Sequence, residues 1–396
     1  MNIIRKIKYR NILRILVERS QTFSRFLGKT TKHILFLINV LFIILLYLSI
    51  SAWYIPPYDY IFTAYLGLGF IVIFAVCVGF LLFWLVLLKK KPIFLNIIAL
   101  LICWNPISTY FPINFKSKDV PEGCIKIMTY NVKGFNWDRD ESARDKPIFE
   151  YMANSNADII CMQEFVINNH QYNSEGIISI REIDQILKDY PYRSILRFGK
   201  AEGEYSFGIA CYSKFPILKT EEIPINSELS GGAVHDIKVN DKIIKLFNVH
   251  LESNKLTSED KQLYWDFIGA KNSESFDKVF QNINGKLGKA YVQRAIQADL
   301  ISDWISKEDS THTIVCGDFN DTPMSYVYKK VRGSNLYDSF AETGMGQGIT
   351  FNEHMFWFRI DYIMHSGNMK AYNSSIDKVM YSDHYPLTTY LQIDPS

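Results

Sequence analysis

A layered α/β domain carried behind a helical membrane segment is the architecture that this sequence predicts, and three observations predict it. Long uncharged apolar runs fill the first 115 residues, and from residue 117 onward β-type stretches alternate with helical ones. Charge divides the chain at the same place. Of 43 Lys/Arg and 41 Asp/Glu, residues 1–116 hold 13 basic residues against Glu18 and Asp59, which leaves 30 basic and 39 acidic residues for 117–396. A net of +11 in one part and −9 in the other implies two different jobs along one chain. A length of 396 residues also exceeds the usual single core.

Residues 1–32 form a basic arm, read as a topology signal that contacts lipid headgroups rather than nucleic acid. The stretches 33–55, "HILFLINVLFIILLYLSISAWYI", and 61–88 contain no charged residue. A hydrocarbon core of roughly 30 Å needs about 20 apolar residues, so both are predicted to span a bilayer. The late start of the first run argues against a cleavable signal peptide. A third run, 92–115, opens with Pro92 and is interrupted by Asn105 and Pro106. A span over 92–112 is favoured there over a re-entrant segment, because Trp104, Tyr110 and Phe111 resemble an interfacial aromatic belt. The early Lys/Arg and Lys89–Lys91 belong on the cytoplasmic side, so three spans place everything after them outside. The chain is therefore expected to be an integral protein of the cell inner membrane with an extracytoplasmic domain at 117–396.

In that domain the apolar patterns predict strands at 125–132, 158–163, 192–198, 207–213, 233–239, 242–251, 313–319 and 360–366. Helices are predicted at 143–155, 181–189 and 290–307. Alternation of this kind indicates a layered α/β core. The six cysteines show no metal-ligand spacing and no disulfide framework. Residues 254–289 read as a charged insertion, either a solvated helix or a wall that selects substrate, and Phe356–Phe358 as pocket lining or a membrane contact.

The ends of the strands carry the chemistry. "HTIVCGDFNDTP" (312–323) runs from an apolar strand into Asp318 and Asn320. Asn131 ends "IKIMTYN", Gln163 and Glu164 end "ADIICMQE", and Asn248 and His250 lie two apart in "FNVHL". Asp361 stands inside "RIDYIMHS", and Asp383 and His384 are adjacent in "YSDHYPL". Turn residues or satisfied core polar groups explain any one of these, and Arg359 is a candidate ion-pair partner for Asp361. Packing does not readily explain all of them together, because buried polar groups are expensive unless paired.

In order and identity these motifs resemble the endonuclease/exonuclease/phosphatase superfamily, over roughly 120–396, with "GDFN" and "SDH" the most specific. The resemblance implies a four-layer α/β sandwich of two packed mixed sheets flanked by helices. It also implies phosphoester hydrolysis with Mg²⁺ or Mn²⁺. Glu164 would be the first metal ligand, assisted by Asn131 and Asp383, since hard oxygen donors suit these ions. Asp318 would deprotonate the attacking water, Asn320 would hold a phosphoryl oxygen, and His384 would donate to the phosphoryl group with Asp361 fixing its tautomer. His250 and Asn248 would contact the substrate. Lys133 departs from the abasic-endonuclease pattern, where an acid two residues after the first asparagine serves the metal. That departure, the acidic domain and the anchor favour lipid headgroup or small phosphoesters over duplex DNA. A nuclease of the same fold and an inactive binding module are the rival readings. No obligate protein partner is evident.

Overall fold

The computed structural model describes residues 15, 17–19, 21–22, 25–136, 146–168, 178–198, 205–225, 227–254, 273–308, 310–353 and 356–394. The first 14 residues of the basic arm, 143–145 of an expected helix, 255–272 of the insertion, His170 and His354 lie outside the described residues. Helix α1 (Lys29–Ile50) continues through a 3-10 turn to Trp53, and this is the one continuous described helix long and apolar enough to cross a membrane. The other two runs are bent pairs. α2 (Ile61–Leu68) meets α3 (Phe70–Val86) at 54°, and α4 (Lys90–Ile102) meets α5 (Trp104–Tyr110) at 67°. The described residues thus hold up to three candidate spans if each bent pair counts as one.

Both bends have local causes. Gly69 sits at the first break. At the second, Pro106 has no N–H to offer the carbonyl of Ile102, and its ring would clash there, so α4 stops at that residue. A polar clamp joins the helices: Asn39 and Asn96 exchange hydrogen bonds of 3.0 and 2.8 Å, and the Trp84 indole donates to Asn39 at 2.9 Å. All three are buried, and in an apolar surrounding such groups have few other partners.

The remaining chain builds two mixed six-stranded sheets. The first has the order β13 (Met369–Ile376), β14 (Leu387–Ile393), β1 (Ile125–Asn131), β2 (Ile159–Asn168), β4 (Tyr205–Ser213), β3 (Tyr192–Phe198). The second runs β5 (Ile217–Ile223), β6 (Gly231–Val239), β7 (Lys242–His250), β8 (Thr313–Asp318), β12 (Asp361–Ser366), β9 (Leu336–Asp338). The pairs β1–β2 and β7–β8 are parallel and the other pairings antiparallel. Alternate residues of a strand face opposite ways, so Ile127, Ile159 and Cys211 of one sheet meet Leu246, Ile314, Cys316 and Ile363 of the other. On the outer face of the first sheet Met128, Ile160 and Met162 pack with α6 (Lys146–Asn154) and α7 (Ile180–Ile186) through Ile148, Met152 and Ile183. α8 (Ser273–Lys307) and α9 (Tyr326–Arg332) cover the second sheet through Ala298, Ile301 and Val327. This is the expected four-layer sandwich, and burial on both faces explains the near-continuous apolar strands.

Sandwich and helical bundle share an interface. The Trp53 indole donates to the Pro323 carbonyl at 2.8 Å, and Met324 joins the bundle's apolar core. A Cβ on Gly67 would lie 2.3 Å from the Met324 carbonyl, so only glycine permits this approach. Arg359 is fully buried, pairs with Asp338 at 2.6 Å and also donates to the Thr109 carbonyl. The structural partner of Arg359 is therefore Asp338 rather than Asp361.

Candidate active site

The parallel pairs β1–β2 and β7–β8 end on the same edge of the sandwich, and their last residues converge there. Asn131 ends β1, Glu164 lies in β2, His250 ends β7 and Asp318 ends β8, directly opposite Asp361 at the start of antiparallel β12. Local backbone geometry serves this convergence. Gly317 has φ 136°, and a Cβ there would sit 1.9 Å from the Val249 carbonyl, so β7 and β8 close up only over glycine. Glu164 takes φ 50° where the β2–β4 register shifts, a bulge that aims its carboxylate out of the ladder.

Asn131 organises the acids. Its amide donates to Glu164 Oε1 at 3.0 Å and to Asp318 Oδ2 at 2.9 Å, while its oxygen accepts the Lys133 N–H at 3.0 Å. Asp318 is fully buried and also accepts the Asn320 backbone N–H at 2.7 Å and side-chain amide at 3.2 Å. Burial pushes its carboxyl up to about 6, with Asp361 adding to the rise and His384, His250 and the Asn131 hydrogen bond opposing it. The His250 Nδ1 lies 3.0 Å from the Leu229 carbonyl, which can only accept, so Nδ1 carries the proton. Nε2 then faces the site, 3.6 Å from Glu164 and 3.8 Å from Asp318.

On the other side His384 Nδ1 bonds Asp361 Oδ2 at 2.9 Å, and Nε2 lies 3.7 Å from Asp318 Oδ2. Burial works against the charge on His384, yet Asp361 and Asp318 outweigh it and hold the imidazole up at about 10. Thr350 accepts the Asp361 N–H at 3.1 Å, and the Phe351 ring lies 5.0 Å from the His384 ring. Neither residue carries a motif, and sequence reasoning missed both.

Two expected residues fall outside this cluster. Asp383 is held by Lys133 at 2.6 Å. Burial raises its carboxyl, but His384 and Lys133 prevail and leave it below the usual range. Asn248 spends both ends of its amide inside the sandwich, on Gln163 at 2.7 Å and the Ala210 carbonyl at 3.1 Å, and so bridges the sheets. Away from the cluster, His235, His312 and His365 bond Thr220, Asp394 and Glu342.

The donor set fits a divalent cation. Glu164, His250 and Asp318 present ligand atoms within 4.8 Å of one another; Asp318, Asp361 and His384 lie as close, but a protonated His384 has no lone pair for a metal. Asp361 Oδ1 is buried and has no hydrogen-bond partner among the described residues. The carboxylate oxygens suit a hard divalent cation, and the imidazole is the softer donor of the set.

A family model described as "Endonuclease/Exonuclease/phosphatase family" matches residues 128–384, a stretch that takes in all of these side chains. The chain belongs to this family. It is thus a hydrolase of the superfamily whose members cleave phosphoesters, usually with a divalent metal. A second model, described as a domain of unknown function (DUF8431), matches residues 32–110. No curated protein matches the chain. Among solved structures, a family protein from Leptotrichia buccalis C-1013-b is 17% identical, with 68% of this chain and 100% of that one covered and a TM-score of 0.48. The human Nocturnin catalytic domain with bound sulfate anion is 15% identical over 71% and 96% of the two chains, TM-score 0.48. D. rerio TDP2 complexed with single strand DNA product is 15% identical over 68% and 100%, TM-score 0.46.

Proposed function

We propose that this chain is a membrane-anchored, Mg²⁺- or Mn²⁺-dependent phosphoester hydrolase acting on lipid headgroups or small phosphoesters at the extracytoplasmic face. The observation that carries the chemistry is the meeting of Glu164, His250, Asp318, Asp361 and His384 at one edge of the sandwich. Glu164 holds the cation, with Asn131 positioning the carboxylates. When bound, the cation supplies charge stabilisation to a phosphoryl oxygen.

Asp318 orients the attacking water and takes its proton. A carboxyl near 6 suits that task close to neutral pH, being ionised there yet basic enough to accept. His384 remains protonated, and Asp361 on Nδ1 leaves the Nε2–H to donate to the phosphoryl oxygen as charge builds. Asn320 donates through its amide on the same side, and His250 Nε2, which carries a lone pair in this tautomer, faces the leaving group or the cation as an acceptor. Asp383 and Asn248, engaged elsewhere, have no part in this scheme.

Domain organisation follows the charge division: a basic arm at 1–32, a membrane region at 33–115 and the hydrolase at 117–396. Lys89–Lys91 on the cytoplasmic side and three crossings support the outward placement. The net −9 of the hydrolase part disfavours a polyanion, whereas a tether to a bilayer raises the local concentration of headgroups. The test compares full-length protein in nanodiscs on phospholipid, small phosphoester and plasmid DNA panels at matched concentration with Mg²⁺. Turnover of the first two is expected, and efficient plasmid nicking without either would replace this reading with a nuclease.

A further inference from the structure

The bundle has a second end. α1 runs 22 residues from Lys29 to Ile50, ~33 Å at 1.5 Å per residue, and its far end is the one that leads to Trp53 and Pro323 of the hydrolase. At its start lies a cavity of about 430 Å³. Lys29 and Lys32 line it from the first turn of α1, Lys89 from the turn between α3 and α4, and Lys90 and Lys91 from the first turn of α4. No carboxylate is among its described lining residues.

Lys29 and Lys89–Lys91 gather like charge beside one cavity, and an anion there would relieve their mutual repulsion. Both α1 and α4 also begin here, so their free N–H groups add positive potential in the same direction. The floor is of another kind. Phe36, Trp84 and Pro92 line it, with Trp84 and Pro92 buried. Beneath them the Asn39–Asn96–Trp84 clamp fixes α1, α3 and α4 to one another, and Asn96 also donates to the Pro92 carbonyl at 2.8 Å. The shape is therefore held independently of what enters.

We infer that this cavity binds the phosphate headgroup of an anionic phospholipid from the leaflet around Lys29 and Lys90, with its glycerol and upper acyl carbons against Phe36 and Trp84. The volume lies in the range of small-ligand sites. Basic pockets between membrane helices on the cytoplasmic side are suited to such headgroups. A soluble phosphate would meet the lysines but gain nothing from the aromatic floor. The inference rests on the membrane reading proposed above and is separate from the catalytic centre.

The test uses the full-length chain in detergent at low salt, with thermal unfolding followed after addition of dioleoyl phosphatidylglycerol, dioleoyl phosphatidylcholine or inorganic phosphate. Phosphatidylglycerol should raise the midpoint by roughly 3 °C or more over phosphatidylcholine. That advantage should disappear in K89Q/K90Q/K91Q and shrink in K29Q/K32Q, the second variant serving if the first fails to insert. Equal shifts from the two lipids, or an advantage that survives both variants, would overturn the inference. Inorganic phosphate acting as well as phosphatidylglycerol would also overturn it and make the site one for a soluble anion. Alkaline carbonate washing of membranes provides the separate control. Release of the chain would defeat the membrane reading itself, whatever the lipid shifts.

Discussion

Replacing Asp361 with Asn keeps the shape beside His384 and removes the charge that holds its proton. The imidazole stands at about 10 against an ordinary 6.5, with burial pulling it down and Asp361, Asp318 and Asp383 pulling it up. A rise of that size corresponds to ~5 kcal/mol between the protonation states at 1.36 kcal/mol per unit. Asp361 makes the 2.9 Å contact and is the largest of the raising influences, so on the order of 2–3 kcal/mol is its share. The folded value lies above the unfolded one. Its stabilisation is therefore complete below about 6.5 and is lost as pH rises through about 10. Metal-free full-length wild type and Asp361→Asn should differ by about 5–10 °C in unfolding midpoint near pH 6, given about 2–4 °C per kcal/mol. The gap should narrow steadily toward pH 10. Thermal melts in detergent and EDTA across that range decide it, and a gap that stays constant with pH would refute the claim that Asp361 keeps His384 charged.

Other perturbations follow from the same geometry. Gly317→Ala forces a Cβ to within 1.9 Å of the Val249 carbonyl, so it should cost about 4 kcal/mol or more and abolish turnover, checked by thermal melts and assay together. Lys133→Met removes a half-exposed partner of Asp383, and should cost no more than about 1 kcal/mol with turnover changed only a few-fold. A tenfold or larger fall would bring Asp383 back into the chemistry. A reporter active only outside the cytoplasm should work when fused after Ser396 and stay silent near Lys90. A silent C-terminal fusion would mean that 92–112 does not cross.

The polar cluster at the sandwich edge was legible because its residues break a local rule. Asn131, Glu164, His250, Asp318 and Asp361 are polar groups on otherwise apolar strands, and local partners such as Asn320 for Asp318 satisfy only part of the set. Asn105 and Pro106, read as interruptions of the third run, lie just past the 67° bend that follows Ile102. Three strands were harder to read. β5 is largely exposed, β13 is mixed and β14 follows Leu387 with two threonines, so none shows a clean apolar period. Strand β2 ran further than its pattern because the bulge at Glu164 resets the alternation. Pairings across long separations left no trace in the sequence. Lys133 with Asp383, Asn248 with Gln163 and Arg359 with Asp338 are set by which segments the fold brings side by side.

Glu164, Asp318 and their neighbours are proposed to form a metal-dependent hydrolytic centre. Turnover of an activated phosphodiester by full-length wild type, Glu164→Gln and Asp318→Asn over a Mg²⁺ titration tests this most directly. Wild type should be active with metal and silent in EDTA, Glu164→Gln should need far more Mg²⁺ to reach half its rate, and Asp318→Asn should lose about 10²-fold or more at saturating metal. Wild-type turnover that survives EDTA, or an Asp318→Asn protein as fast as wild type, would contradict the account.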